Sequence, residues 1–146
     1  MLLRFRMKRM LACALALALV TEGWAMMPPE EYRKARESAQ FHVQLSVSKV
    51  TRPARFPGPC SVEGKVVTVF RGALAAGTPM RVEVSCKRDG DRAPPGGEFW
   101  TRWEELERAR FLEAYVNCEG EGYAIAAWQS AIIAAPSTKP RFLGKE

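Results

Sequence analysis

His42 is the only imidazole in the chain, and any proton-transfer or metal chemistry built on it needs companions. A general base requires a nucleophile and an orienting acid within reach, and a metal-bound imidazole requires two or three further ligands. The residues around His42 supply neither, and it falls on the polar phase of an alternating run, so a solvent-facing strand residue is expected. Cys60, Cys86 and Cys118 are the cysteines beyond residue 25, and none pairs at the short spacing of a zinc site or a redox motif. A Cys-His hydrolase would need one of them reduced beside His42, which conflicts with an oxidising compartment. Asp89-Gly90-Asp91 has the opening of a calcium loop without its other ligands or terminal Glu, and is expected as a solvated turn. Gly120-Glu121-Gly122 lacks the third glycine and following helix of a dinucleotide site. Glu113, between Phe111 and Tyr115, could act as an acid in a groove; the simpler expectation is an outward side chain paired with an arginine. No metal, cofactor or catalytic centre is expected, and a small exported hydrolase using His42 or Glu113 is the enzymatic alternative.

The aromatic residues carry a different chemistry. Phe99, Trp100 and Trp103 follow the Gly-rich segment, and Phe111, Tyr115, Tyr123 and Trp128 lie near the C-terminus. Core packing accounts for most of them, because large rings dominate small cores. Trp100, Trp103 and Tyr115, with Arg92 or Arg102, are the candidate binding residues, a stacking surface for a sugar or a single-stranded nucleic acid.

Where this chemistry takes place is indicated by residues 1–25. Arg4, Arg6, Lys8 and Arg9 precede an apolar run from Met10 to Val20, and Gly23-Trp24-Ala25 places small residues at the −3 and −1 positions of a cleavage site. That is the pattern of a secretory signal peptide. The run is about half of the roughly 20 residues that a membrane-spanning helix needs, so no transmembrane segment is expected after cleavage and the chain is expected to be secreted or periplasmic. Cys13 lacks a lipoprotein-like lead-in. Of 22 Lys and Arg against 16 Asp and Glu, four and one belong to the leader, leaving 18 against 15. Basicity therefore resides largely in the export signal, and the remainder is interspersed with acids, which disfavours nucleic acid as a partner.

The elements that must position these residues follow from periodicity. Residues 26–40 are expected as an N-terminal arm or short helix, 41–135 as the domain and 136–146 as a flexible tail. Phe41, Val43, Leu45 and Val47 alternate with polar residues as in a half-buried strand. Residues 62–70 and 80–86 form a hairpin turning near 73–76, with Gly64 permitting a bend or bulge. That hairpin sets Cys60 roughly opposite Cys86, the expected disulfide, and leaves Cys118 as a free thiol expected to be buried. Residues 87–97 form a polar loop. Thr101 and Glu104 have the spacing of a capping box that opens a helix over 102–109. Two strands, 111–118 and 123–133, follow across a tight acidic turn. The order β-β-β-α-β-β is that of an OB-fold, a five-stranded Greek-key barrel, all-β with one short helix.

The segment Val62-Glu63-Gly64-Lys65-Val66-Val67-Thr68-Val69-Phe70-Arg71-Gly72, followed by Gly77-Thr78-Pro79 and a strand ending in Cys86, resembles the central hairpin of netrin-like domains, which include the tissue inhibitors of metalloproteinases. The resemblance implies a secreted, disulfide-stapled OB-fold. The inhibitors use an N-terminal cysteine against the protease zinc, and the expected mature terminus, Met26-Met27-Pro28-Pro29, has none. The expectation is an exported, non-catalytic binding or interaction module whose partner is another exported protein or an envelope component. An OB-fold binder of oligosaccharide or single-stranded nucleic acid is the alternative binding module.

Overall fold

The computed structural model describes residues 26–146. The leader expected over 1–25 lies outside the described residues. Helix α1, Pro29–Ser38, opens on a proline whose missing N–H has no helical partner at that position, with Glu30 and Glu31 in the first turn and Arg36 in the last. Tyr32 and Arg36, one turn apart, are its buried residues. The strands follow as β1 (Phe41–Thr51), β2 (Gly58–Arg71), β3 (Pro79–Lys87), β4 (Thr101–Arg102), β5 (Phe111–Glu119) and β6 (Gly122–Ile133), with a four-residue helix α2 (Trp103–Leu106) between β4 and β5.

All six strands form one sheet in the order β4-β3-β2-β1-β5-β6. β1 is central, bonded antiparallel to β2 along one edge and to β5 along the other. The sheet curls until β3 and β6 approach each other with no ladder between them, giving a half-barrel. Val43 and Leu45 of β1, Val62 and Val66 of β2, Val82 and Val84 of β3 and Leu112 and Val116 of β5 fill the interior, and Trp103 and Leu106 of α2 pack into the same cluster. The alternation of these positions along each strand is the period-two signal that the sequence carries.

The structure departs from the sequence reading in several places. There are six strands and not five, because Thr101 and Arg102 pair in parallel with Cys86 and Lys87. That pairing also removes the capping box: Arg102 is the N-cap with no side-chain bond, α2 covers 103–106 and not 102–109, and the Glu104 carboxylate accepts from the Asp89 N–H at 3.1 Å. Cys60 and Cys86 are bonded with Cα atoms 5.8 Å apart. Cys60 faces Val84 and Cys86 faces Gly58, so the bridge runs diagonally across the ladder. Cys118, expected to be buried, is exposed at the end of β5. Among the described residues no helix is long and apolar enough to cross a membrane.

Residues 136–146, expected as a flexible tail, lie as a strap on the outer face of the sheet. Phe142 is buried in a satellite cluster with Ala39, Tyr115 and Ala126. The tail lacks an apolar period because it is anchored by a single ring and by hydrogen bonds, a kind of docking that periodicity does not register.

Candidate functional site

Two regions of the half-barrel gather polar chemistry, and they lie on different surfaces. The first is the outer face of β1 and β5. His42 stands opposite Tyr115 and Gln44 opposite Glu113 in the β1–β5 register. The Glu113 carboxylate is fully buried. Its Oε1 accepts from His42 Nε2 at 2.8 Å and from the Phe142 N–H at 3.1 Å, and its Oε2 accepts from Gln44 Nε2 at 2.8 Å and from the Arg141 N–H at 3.0 Å. Gln44 in turn accepts from the Ser137 N–H at 2.9 Å and donates to Ser137 Oγ at 2.9 Å. The His42 ring stacks on Tyr115 with centroids 3.9 Å apart.

The sequence places His42 toward solvent and Glu113 outward against an arginine; the structure buries both. The phase of the alternation is as read, but α1 and the strap cover the face that a plain β-pattern assigns to water. Burial holds His42 below the ordinary histidine value, and the Glu113 contact only partly offsets it, so the ring is neutral near pH 7. Burial pushes Glu113 upward, but bonds from Gln44, Arg141, His42 and Phe142 together outweigh it and hold the carboxyl below its usual range. The result is a neutral imidazole donating to a carboxylate beneath a closed surface. Glu113 bonds the strap directly and His42 bonds Glu113, and both side chains are buried.

The second region is the seam where β3 and β6 approach. A groove of about 670 Å³ runs along it, walled by Arg81, Glu83 and Ser85 from β3 and by Tyr123, Ile125 and Trp128 from β6. Glu98 and Glu119 complete its rim, and Ser85 Oγ donates to the Glu98 carboxylate. A further opening of about 550 Å³ shares Arg81, Gly122 and Tyr123 with it, so the cleft continues along the seam. Three carboxylates, Glu83, Glu98 and Glu119, stand against one cation, Arg81, at the Trp128 end. An open aromatic wall with an acidic rim is chemically suited to a cationic ligand and repels phosphate.

The candidate binding residues, Trp100, Trp103, Tyr115, Arg92 and Arg102, do not converge on this groove or on one another. Trp103 is buried in the main core against Phe56, with Arg52 over its ring at 5.2 Å. Tyr115 belongs to the satellite cluster under the strap. Arg102 is exposed and paired with Asp89 and Glu105, Arg92 is exposed on the polar loop, and Trp100 is part-buried with an indole N–H that has no hydrogen-bond partner. Trp128, which the sequence pattern assigns to core packing, lines the groove instead, and nothing in its spacing marks the backbone irregularity that turns it toward the seam. Among the described residues no group of three or more His, Cys, Asp or Glu is placed to hold a metal ion.

No family model, curated protein or solved structure matches this chain.

Proposed function

We propose that this chain is an exported, non-catalytic binding module of OB-like, netrin-like type, and that it holds a basic, extended segment of another exported protein or of an envelope component in the β3–β6 groove. The observation that carries this reading is the groove itself: an open cleft of about 670 Å³ with Trp128 and Tyr123 on one wall and an excess of carboxylates on its rim. The buried Cys60–Cys86 bridge supports export, since disulfides persist in oxidising compartments, and so does the leader pattern of residues 1–25. The strand order, with β1 joined to both β2 and β5 and with β3 facing β6, supports the OB-like assignment.

Titration with decalysine, decaglutamate and a single-stranded oligonucleotide, followed by tryptophan fluorescence, tests the proposal. Decalysine is expected to change the emission with an affinity that weakens as salt is added, and Trp128→Ala is expected to lower that affinity about tenfold, as for a central aromatic contact. Tighter binding of the oligonucleotide, or equal binding of decalysine by Trp128→Ala, refutes it.

A further inference from the structure

What holds Trp128 in the groove wall is set beneath the strap, at its neighbour Gln129. Ala127 and Trp128 adopt φ angles of 43° and 57°, a left-handed conformation that residues with a Cβ enter only against a steric penalty. The β5–β6 ladder passes from Ala114 opposite Ser130 to Val116 opposite Ile125, so residues 126–129 stand opposite Tyr115 alone. This bulge breaks the strand's alternation. It leaves Trp128 on the groove and turns the neighbouring Gln129 into the protein, where it is fully buried.

The Gln129 amide is fully engaged. Its Nε2 donates to the Ala127 carbonyl at 3.1 Å, closing the bulge on itself, and to the Lys145 carbonyl at 3.1 Å. Its Oε1 accepts from the Lys145 N–H at 2.8 Å and from Arg36 Nη1 at 3.0 Å. Arg36 also donates to the Lys145 carbonyl at 3.0 Å and pairs with Glu146 at 2.8 Å. A buried amide with four good bonds has one orientation open to it, because any rotation strands donors or acceptors away from water. The strained pair at 127–128 is thereby tied to the last residues of the chain.

We infer that the C-terminal strap sets the shape of the groove, with Gln129 as the positioning residue that transmits the docking of the Lys145 backbone to the Trp128 side chain. Release of the strap removes two of the four bonds to Gln129 and frees the bulge to relax, so strap docking and groove occupancy are linked. The functional meaning of that link rests on the groove being the binding site, but the link itself does not.

The test uses the full chain labelled with 5-fluorotryptophan, the Trp128 resonance being assigned by its loss in Trp128→Phe. Lys145→Pro removes the N–H that Gln129 accepts, whereas Lys145→Ala keeps the backbone; both lose the ammonium that lies over Phe99 and Phe142, so the difference between them isolates the N–H. Lys145→Pro and Gln129→Ala are expected to displace the Trp128 resonance in the same direction, Lys145→Ala to leave it in place, and the Lys145→Pro/Gln129→Ala double variant to match Gln129→Ala, the non-additivity of a shared path. Where decalysine binds the wild-type chain, Lys145→Pro weakens it about tenfold, the effect of losing one well-placed interaction. An unmoved Trp128 resonance in Lys145→Pro, equal shifts in Lys145→Pro and Lys145→Ala, or additive shifts in the double variant would overturn the inference. Should Gln129→Ala not fold, the two Lys145 variants decide it, since both lie outside the main core. The resonance needs no ligand, so failure of decalysine to bind refutes the groove as a cationic site while leaving this linkage to stand or fall separately.

Discussion

Glu113→Gln separates a structural carboxylate from a catalytic one. Each oxygen of Glu113 accepts two hydrogen bonds, Oε1 from His42 and Phe142 and Oε2 from Gln44 and Arg141. A glutamine keeps one carbonyl oxygen and turns an NH₂ group toward the other two donors, whichever way it is inserted. Gln44 cannot flip to accept from that NH₂ without surrendering its bond from the Ser137 N–H. The less costly insertion turns the NH₂ toward His42, whose neutral ring can change tautomer and accept it through Nε2, so only the bond from the Phe142 N–H is lost outright. That bond to an ionised acceptor is worth about 1.5–3 kcal/mol; with burial of a neutral amide in place of a charge working the other way, the expected loss is about 2 kcal/mol. For a chain of this size that lowers the melting temperature by about 7 °C. Urea denaturation gives the free energy, and amide hydrogen exchange at Arg141 and Phe142 gives the local consequence, a large fall in protection as the strap loosens. A loss under about 1 kcal/mol with both amides still protected would refute the account of Glu113 as the anchor of the strap.

The same cluster makes the protein acid-sensitive. His42 is held below the histidine value of 6.5 and Glu113 below the carboxyl value of 4.5, so for both groups the unfolded chain binds the proton more readily and stability rises with pH. The urea midpoint is therefore expected to fall as pH drops below 6.5, through His42, and to fall further below 4.5, through Glu113; His42→Phe should flatten the upper limb, and a midpoint that rises on acidification would contradict the assignment. Gly64 is required by close approach and not by its dihedral angles: a Cβ there would stand 3.0 Å from the Ser46 carbonyl carbon and 3.3 Å from Val47 Cα, beside the β1–β2 register shift. Gly64→Ala is expected to cost about 1–3 kcal/mol through overpacking, measured by denaturation against the comparison Gly122→Ala, whose Cβ would meet nothing closer than the Glu119 carbonyl oxygen at 3.7 Å.

The main core was legible because it is local. Val43 and Leu45, Val62 and Val66, and Val82 and Val84 recur at the period of a strand, and Cys60 and Cys86 flank a hairpin whose turn is written in glycines. Alternation alone recovers which side chains of β1, β2 and β3 meet, and with them the disulfide. The two-residue β4 escaped because a strand that short has no period. It forms only when the polar loop returns Thr101 to the edge of β3.

By itself, then, the sequence determined the five long strands, the inward phase of β1, β2 and β3, the bridge between Cys60 and Cys86, and the acid-rich turn between β5 and β6. Only the tertiary structure decided that the polar phase of β1 and β5 is buried, that the last eleven residues are its cover, and that Trp128 faces the seam while Gln129 holds it there. The physical reason is the kind of contact. Strand periodicity reflects one face meeting a core, whereas Glu113 bonding the Arg141 amide and Gln129 bonding the Lys145 amide join residues 28 and 16 positions apart through hydrogen bonds, which leave no hydrophobic pattern behind.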